Sequence, residues 1–232
     1  MRDDPIVFIP GINCTGALFA RQIAVFGPQR PVIVADHGRH ADIGDLAAAL
    51  LGELPERFVL AGLSMGGYVA FELLRRAPER ISGLVLMDTS ARDDTLEAAE
   101  RRRRMIAIAE RGRFDQIPEL QIPTLLGATA RAGETLPELV RAMARDTGPE
   151  AFVRQQRACL GRPSSLAGLS AIACPTLVVV GEEDAITPPV VARELAEGIP
   201  GARLAVVADC GHLAAIEQPE AVTGLVAGFL GD

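Results

Sequence analysis

Six short apolar runs, most of them rich in β-branched residues, recur along the chain at 6–10, 31–35, 57–61, 83–87, 176–180 and 203–207. Most are continuous rather than alternating, the pattern of parallel strands buried on both faces. Between them, apolar positions recur with helical spacing at 43–54, 65–76, 190–197 and 219–230. Strand followed by helix followed by strand implies right-handed crossovers and one mostly parallel, doubly wound sheet covered on both sides. The rhythm breaks between about 91 and 171, where Arg- and Ala-rich helical patterns are interrupted by Pro118, Pro123, Pro137, Pro149 and Pro163. A structureless loop of that length is foreign to a compact domain. The expectation is one α/β domain over 1–232 with a helical lid inserted between two core strands, above the sheet's carboxyl edge.

Within that insertion, Arg101 to Arg104 form a basic run. Glu97 and Glu100 precede it and Glu110 follows, so the spacing predicts a solvated helix face with mixed ion pairs rather than a nucleic-acid patch. Met105, Ile106, Ile108 and Ala109 would form the buried side of that helix.

Composition narrows the picture without adding chemistry. The 232 residues suffice for a core without disulfides or metal. A net charge of −7 argues against nucleic acid or an anionic membrane as partner. All 23 basic residues are arginine, a compositional habit with no functional reading of its own. Cys14, Cys159, Cys174 and Cys210 show no metal-ligand spacing, and reduced thiols are expected. Neither a secretory leader nor an apolar run of about 18 residues is apparent, so a cytoplasmic protein is expected.

The chemistry concentrates in Gly62-Leu63-Ser64-Met65-Gly66-Gly67, which lies where a strand gives way to a helix. A serine hydroxyl becomes a nucleophile only when it is exposed, held still and served by a base. A sharp strand-to-helix turn supplies the first two conditions, and side chains at positions 62 and 66 would collide across it. The Met65 N–H then points at the site from a helix N-terminus, as an oxyanion donor would.

A general base must come from three histidines. His37 and His40 follow the second strand and His212 follows the last, so all three lie at the carboxyl edge. The order Ser, Asp, His along the chain selects His212. Asp184, in the turn after the fifth strand, is the best candidate to orient its ring. Asp88, after the fourth strand, remains an alternative acid, while Glu182 and Glu183 suit a solvated turn and Asp209 is too near His212 in sequence.

These segments, with Phe8-Ile9-Pro10-Gly11, Gly181-Glu182-Glu183-Asp184 and Cys210-Gly211-His212, resemble the α/β-hydrolase superfamily over nearly the whole chain. The resemblance implies a second oxyanion donor in the first loop, at the Ile12 N–H. Where the family usually has His-Gly, this chain has Pro10-Gly11, which keeps the backbone donor but removes a supporting side chain. The first strand corresponds to the family's third, so a sheet of about six strands without the N-terminal pair is expected. Cys14, in the same loop, is expected to pack rather than react.

Serine at position 64 sets the chain apart from relatives with a carboxylate nucleophile and suits acyl transfer to water. Ser64, Asp184 and His212 are therefore expected to hydrolyse a carboxylic ester, thioester or lactone of small to medium size. Two other readings stand beside it. The lyases of menaquinone biosynthesis resemble the same pattern and use such a triad to abstract a proton and expel pyruvate, which would need lid arginines over Ser64. A non-catalytic ligand-binding protein of the same fold is the third. No cofactor and no metal are expected, the partner is a small-molecule substrate, and the chain would be a monomer or homodimer.

Overall fold

The computed structural model describes Met1 and residues 3–231. Its sheet has six parallel strands: β1 (Ile6–Ile9), β2 (Val32–Val34), β3 (Phe58–Leu63), β4 (Ile81–Met87), β5 (Thr176–Gly181) and β6 (Arg203–Val207). Their spatial order is β2-β1-β3-β4-β5-β6. The reversal between β1 and β3 opens the carboxyl edge, the place where α/β sheets bind ligands. β1, β3, β4 and β5 are buried throughout, which explains their continuous apolar runs, whereas the outer strands β2 and β6 are part-exposed.

Alternate strand residues feed two cores. Val7, Ile9, Leu60, Leu84, Leu86, Val178 and Val180 pack on one face, against α2 (Ile43–Glu53), α3 (Met65–Arg76) and α8 (Pro189–Gly198). Ile6, Phe8, Val59, Ala61, Val85, Met87, Leu177 and Val179 pack on the other, against α1 (Ala20–Phe26) and α10 (Pro219–Leu230). The expected helices at 65–76 and 219–230 form with those bounds. Helix α1 has only seven residues and no strong sequence signal announces it.

Between β4 and β5 the chain is helical: α4 (Leu96–Glu110), α5 (Ile117–Leu125), α6 (Ala128–Ala132) and α7 (Thr135–Gly161). Helix α7 breaks at Gly148, whose φ of 75° precedes Pro149. Ala109, Ile117 and Phe152 form a small core of this insertion, and Ile12 of the first loop packs against it. A short helix, α9 (Ala214–Glu217), lies between β6 and α10. No helix among the described residues is long and apolar enough to cross a membrane.

Candidate active site

Ser64 sits between β3 and α3 with φ 54° and ψ −112°, a region that non-glycine residues rarely occupy. Its sequence neighbours make that turn possible. A Cβ at position 62 would run into the Gly66 carbonyl, and one at position 66 would meet the Ile9 carbonyl oxygen. The Ser64 N–H donates to the Met87 carbonyl at 3.0 Å, and the Thr89 hydroxyl donates to the Ser64 carbonyl at 2.7 Å. The serine is thereby tied to the end of β4 on both sides of its Cα.

Four non-glycine residues among those described have positive φ: Asn13, Ser64, Asp88 and Asp209. They lie just beyond β1, β3, β4 and β6, so the backbone strain is concentrated on the sheet edge where Ser64 and His212 meet.

His212 Nε2 lies 2.9 Å from the Ser64 hydroxyl oxygen, and its Nδ1 lies 2.9 Å from Asp184 Oδ2. Both the imidazole and the carboxylate are almost fully buried. The other carboxylate oxygen accepts from the Ile186 and Thr187 N–H groups at 2.8 and 2.9 Å, and the Thr187 hydroxyl donates to Oδ2 at 2.7 Å. Burial works against ionising Asp184, but the imidazole and these donors outweigh it and hold the carboxyl at about 2. His212 feels the reverse balance. Burial lowers its pKa, yet the charge and hydrogen bond of Asp184 carry it above the ordinary value. Ser64, His212 and Asp184 are thus brought together as their chain order suggests.

Asp88 is fully buried, and burial together with the charge of Asp184 pushes its pKa well up. Its oxygens accept from the Gly181 N–H at 2.9 Å and the Ala214 N–H at 3.1 Å. It therefore ties the loop before Asp184 to the loop after His212, while Asp184 occupies the imidazole nitrogen.

The first loop brings Gly11 and Ile12 beside Ser64, where a Cβ at Gly11 would approach the serine Cβ to 3.3 Å. Among the described residues no hydrogen bond engages the Ile12 N–H. Met65 opens α3, where an N–H has no partner within the helix. Both are free to donate to a bound oxygen.

The loop is held from behind by a residue that lay unassigned in the sequence. His37 is buried, its Nε2 lying 2.9 Å from the Gly11 carbonyl oxygen and 3.1 Å from the Gln155 amide. Burial lowers its pKa, so a neutral ring donates to Gly11. Gln155 in turn accepts from the Asn13 N–H at 2.9 Å. His40 is half-exposed and outside this network. Cys14 is buried, its thiol donates to the Ile12 carbonyl at 3.4 Å, and burial pushes it up to about 12, as suits a packing residue. All four cysteines are free.

The cavity above Ser64 has a volume of about 210 Å³. Its floor is Ile12, Ser64 and His212; its walls include Leu120, Thr124 and Leu125 of α5 and Ile186. Arg101, Arg102 and Met105 of α4 also line it. Arg101, Arg103 and Arg104 are exposed and Arg104 lies 4.0 Å from Glu100, in keeping with the expected solvated face, while the place of Arg101 and Arg102 on the cavity lining is something the spacing alone does not announce.

Glu217 is a second such residue, with no spacing in the sequence to announce it. Its carboxylate accepts from the Gly211 and Leu213 N–H groups, each at 3.0 Å, and from the Gly127 N–H of the insertion at 2.7 Å. The His212 N–H donates to the Leu125 carbonyl at 2.9 Å.

Against this geometry, the sequence profile described as the Alpha/beta hydrolase family matches residues 6–225. The chain belongs to that family. It is 30% identical to BpoC of Mycobacterium tuberculosis, named as a non-heme bromoperoxidase, over 94% of this chain and 90% of that protein. Among solved structures of the alpha/beta hydrolase fold, the malate-bound thermophilic esterase from Thermogutta terrifontis is 32% identical. It superposes with a TM-score of 0.88 over 98% of this chain and 89% of that one. The enol-lactonase from Burkholderia xenovorans LB400 is 25% identical, with a TM-score of 0.90 over 100% and 93% of the two chains.

Proposed function

We propose that this alpha/beta hydrolase cleaves a carboxylic ester, thioester or lactone through an acyl-enzyme on Ser64. The observation that carries the reading is the continuous chain of contacts Ser64–His212–Asp184, each link 2.9 Å long. Neutral His212 accepts the serine proton at Nε2 as Oγ attacks the carbonyl carbon. The C=O electron pair moves onto oxygen, where the Ile12 and Met65 N–H groups stabilise it. Collapse breaks the bond to the leaving alcohol, thiol or lactone oxygen, which takes the proton back from His212. Water then repeats the sequence and releases the acid. Asp184 stays ionised throughout and stabilises the imidazolium.

A cavity of about 210 Å³ suits a small substrate, since pockets for drug-sized ligands run to about 300–1,000 Å³. The helices α4 to α7 act as a lid over it within a single domain. Ester and lactone hydrolysis among the structural relatives agrees with this chemistry.

The test is release of p-nitrophenol from the acetate, butyrate and octanoate esters by wild type and Ser64→Ala. Loss of turnover in the variant, with acetate or butyrate preferred over octanoate, supports the reading. Equal inertness of the two proteins removes it. Arg101 and Arg102 in the cavity lining favour a second reading, elimination from an acidic substrate driven by the same base. A fluorophosphonate probe that fails to label Ser64 in a folded, ester-inert protein would move that reading ahead.

A further inference from the structure

The cavity lining contains two guanidinium groups and no carboxylate. In a chain with 30 acidic and 23 basic residues, that local balance is opposite to the whole. Arg102 is anchored: its Nε donates to Asp94 Oδ2 at 2.7 Å and a terminal nitrogen donates to Gln156 at 3.0 Å. Asp94 is shared, because Arg162 reaches its other oxygen at 2.8 Å. One carboxylate therefore serves two guanidiniums, and the cluster behind the cavity keeps a net positive charge.

Arg101 is the freer of the pair. It is exposed, it lines the cavity, and it makes no hydrogen bond or ion pair among the described residues. Exposed arginines fall in both groups among the described residues: Arg92 and Arg157 pair with Glu194 and Glu110, whereas Arg103, Arg111, Arg113 and Arg193 share the free state of Arg101. What sets Arg101 apart is its place on the cavity lining. A planar fork with uncommitted donors, beside a second cation and over a serine nucleophile, matches a carboxylate on the substrate.

We infer that the α4 wall is a carboxylate subsite and that the substrate is an acidic ester or lactone, with Arg101 as the contact that selects it. This rests on the ester-hydrolase reading and specifies the substrate class for the same site. Arg102 and the charge behind it supply the field, and Arg101 supplies the directed hydrogen bonds.

Two matched ester pairs test the inference, one with the charge on the acyl side and one with it on the alcohol side. Monoethyl adipate is compared with ethyl hexanoate, and the butyrate ester of 4-hydroxybutanoate with butyl butyrate. In at least one pair kcat/KM should favour the charged ester by about tenfold or more in low salt, the scale of a charge-assisted contact in a part-exposed site. The preference should shrink as salt is added. Arg101→Gln should cut that ratio at least fivefold and Arg101→Glu should bring it below one. Arg103→Gln, on the same helix but off the lining, should leave the ratio as in wild type.

Failure of this inference is separable from failure of the hydrolase reading. Ser64-dependent turnover of the neutral esters with ratios near one in both pairs, or ratios untouched by Arg101→Gln, overturns the subsite alone. Thermal melts of Ser64→Ala with and without adipate complete the separation. Stabilisation by adipate that is lost in Ser64→Ala/Arg101→Gln, without turnover of any ester, keeps the subsite and removes the hydrolase. Neither turnover nor stabilisation removes both.

Discussion

Replacing Asp184 by asparagine tests how the base is held, because it removes the charge behind His212 while keeping the side chain's size. The carboxyl is held at about 2 against an ordinary 3.8, a gap worth about 2 kcal/mol in favour of the ionised form. Its folded value is the depressed one. That stabilisation is therefore complete above the ordinary value and disappears as pH falls through about 2. Asp184→Asn should lose about 2 kcal/mol at neutral pH, or about 5 °C in Tm for a chain of this length. The activity loss should be far larger, about 10⁴ in kcat, because an amide no longer fixes the tautomer or stabilises the imidazolium.

The pH profile gives the sign. Turnover needs neutral His212, so the wild-type rate falls as pH drops through its pKa, which lies above 6.5. Without the Asp184 charge, burial dominates and the acid limb should move to lower pH. The assay is kcat/KM for p-nitrophenyl butyrate from pH 5 to 9, beside thermal melts. Asp88→Asn is the comparison: it keeps one acceptor and leaves the other backbone N–H unsatisfied, a cost of about 1–3 kcal/mol. Its kcat should stay well above that of Asp184→Asn. An Asp184→Asn enzyme within tenfold of wild type, with an unmoved acid limb, would refute the assignment. Equal losses in the two variants would show that Asp88 shares the role.

Two further outcomes follow from the loops on either side of the serine. Gly66→Ala drives a methyl group into the Ile9 carbonyl, so it should cost about 1–3 kcal/mol or more and lower the melting temperature together with kcat. His37→Ala removes the donor behind Gly11, so kcat for p-nitrophenyl butyrate should fall about tenfold with little change in KM, a fraction of what a lost oxyanion donor costs. His37→Asn should restore part of it, which a purely structural role would not require.

Much of this arrangement is visible in the chain before it folds, for identifiable reasons. Gly62-Leu63-Ser64-Met65-Gly66 announces the turn because each glycine answers a local clash, and the 65–76 helix follows from periodicity alone. Asp184 is legible because it closely follows a buried apolar strand, and His212 because the order Ser, Asp, His singles it out among three histidines. Asp88 was visible as a residue but not as a clamp, since its partners, Gly181 and Ala214, lie 93 and 126 positions away. His37, Gln155 and Glu217 act through backbone groups of other loops, and such contacts leave no spacing to read. Arg101 and Arg102 are legible as part of a helix face but not as cavity lining, because periodicity identifies the face of a helix and not what lies opposite it.

The grip of Glu217 bears on how such enzymes can be re-engineered. Gly127 is held by Glu217, Ala128 donates to Glu183 at 2.7 Å, Thr129 donates to Asp209 at 2.6 Å, and Leu125 receives the His212 N–H. The α5–α6 junction is thus riveted to the loops that carry the base and its acid. A foreign insertion spliced in at the strand ends alone would arrive without mates for these rivets, leaving the buried His212 N–H and the carboxylates of Glu183, Asp209 and Glu217 to find new ones. The transferable unit is the insertion together with Glu183 and residues 209–217, and the natural cut points lie outside all three.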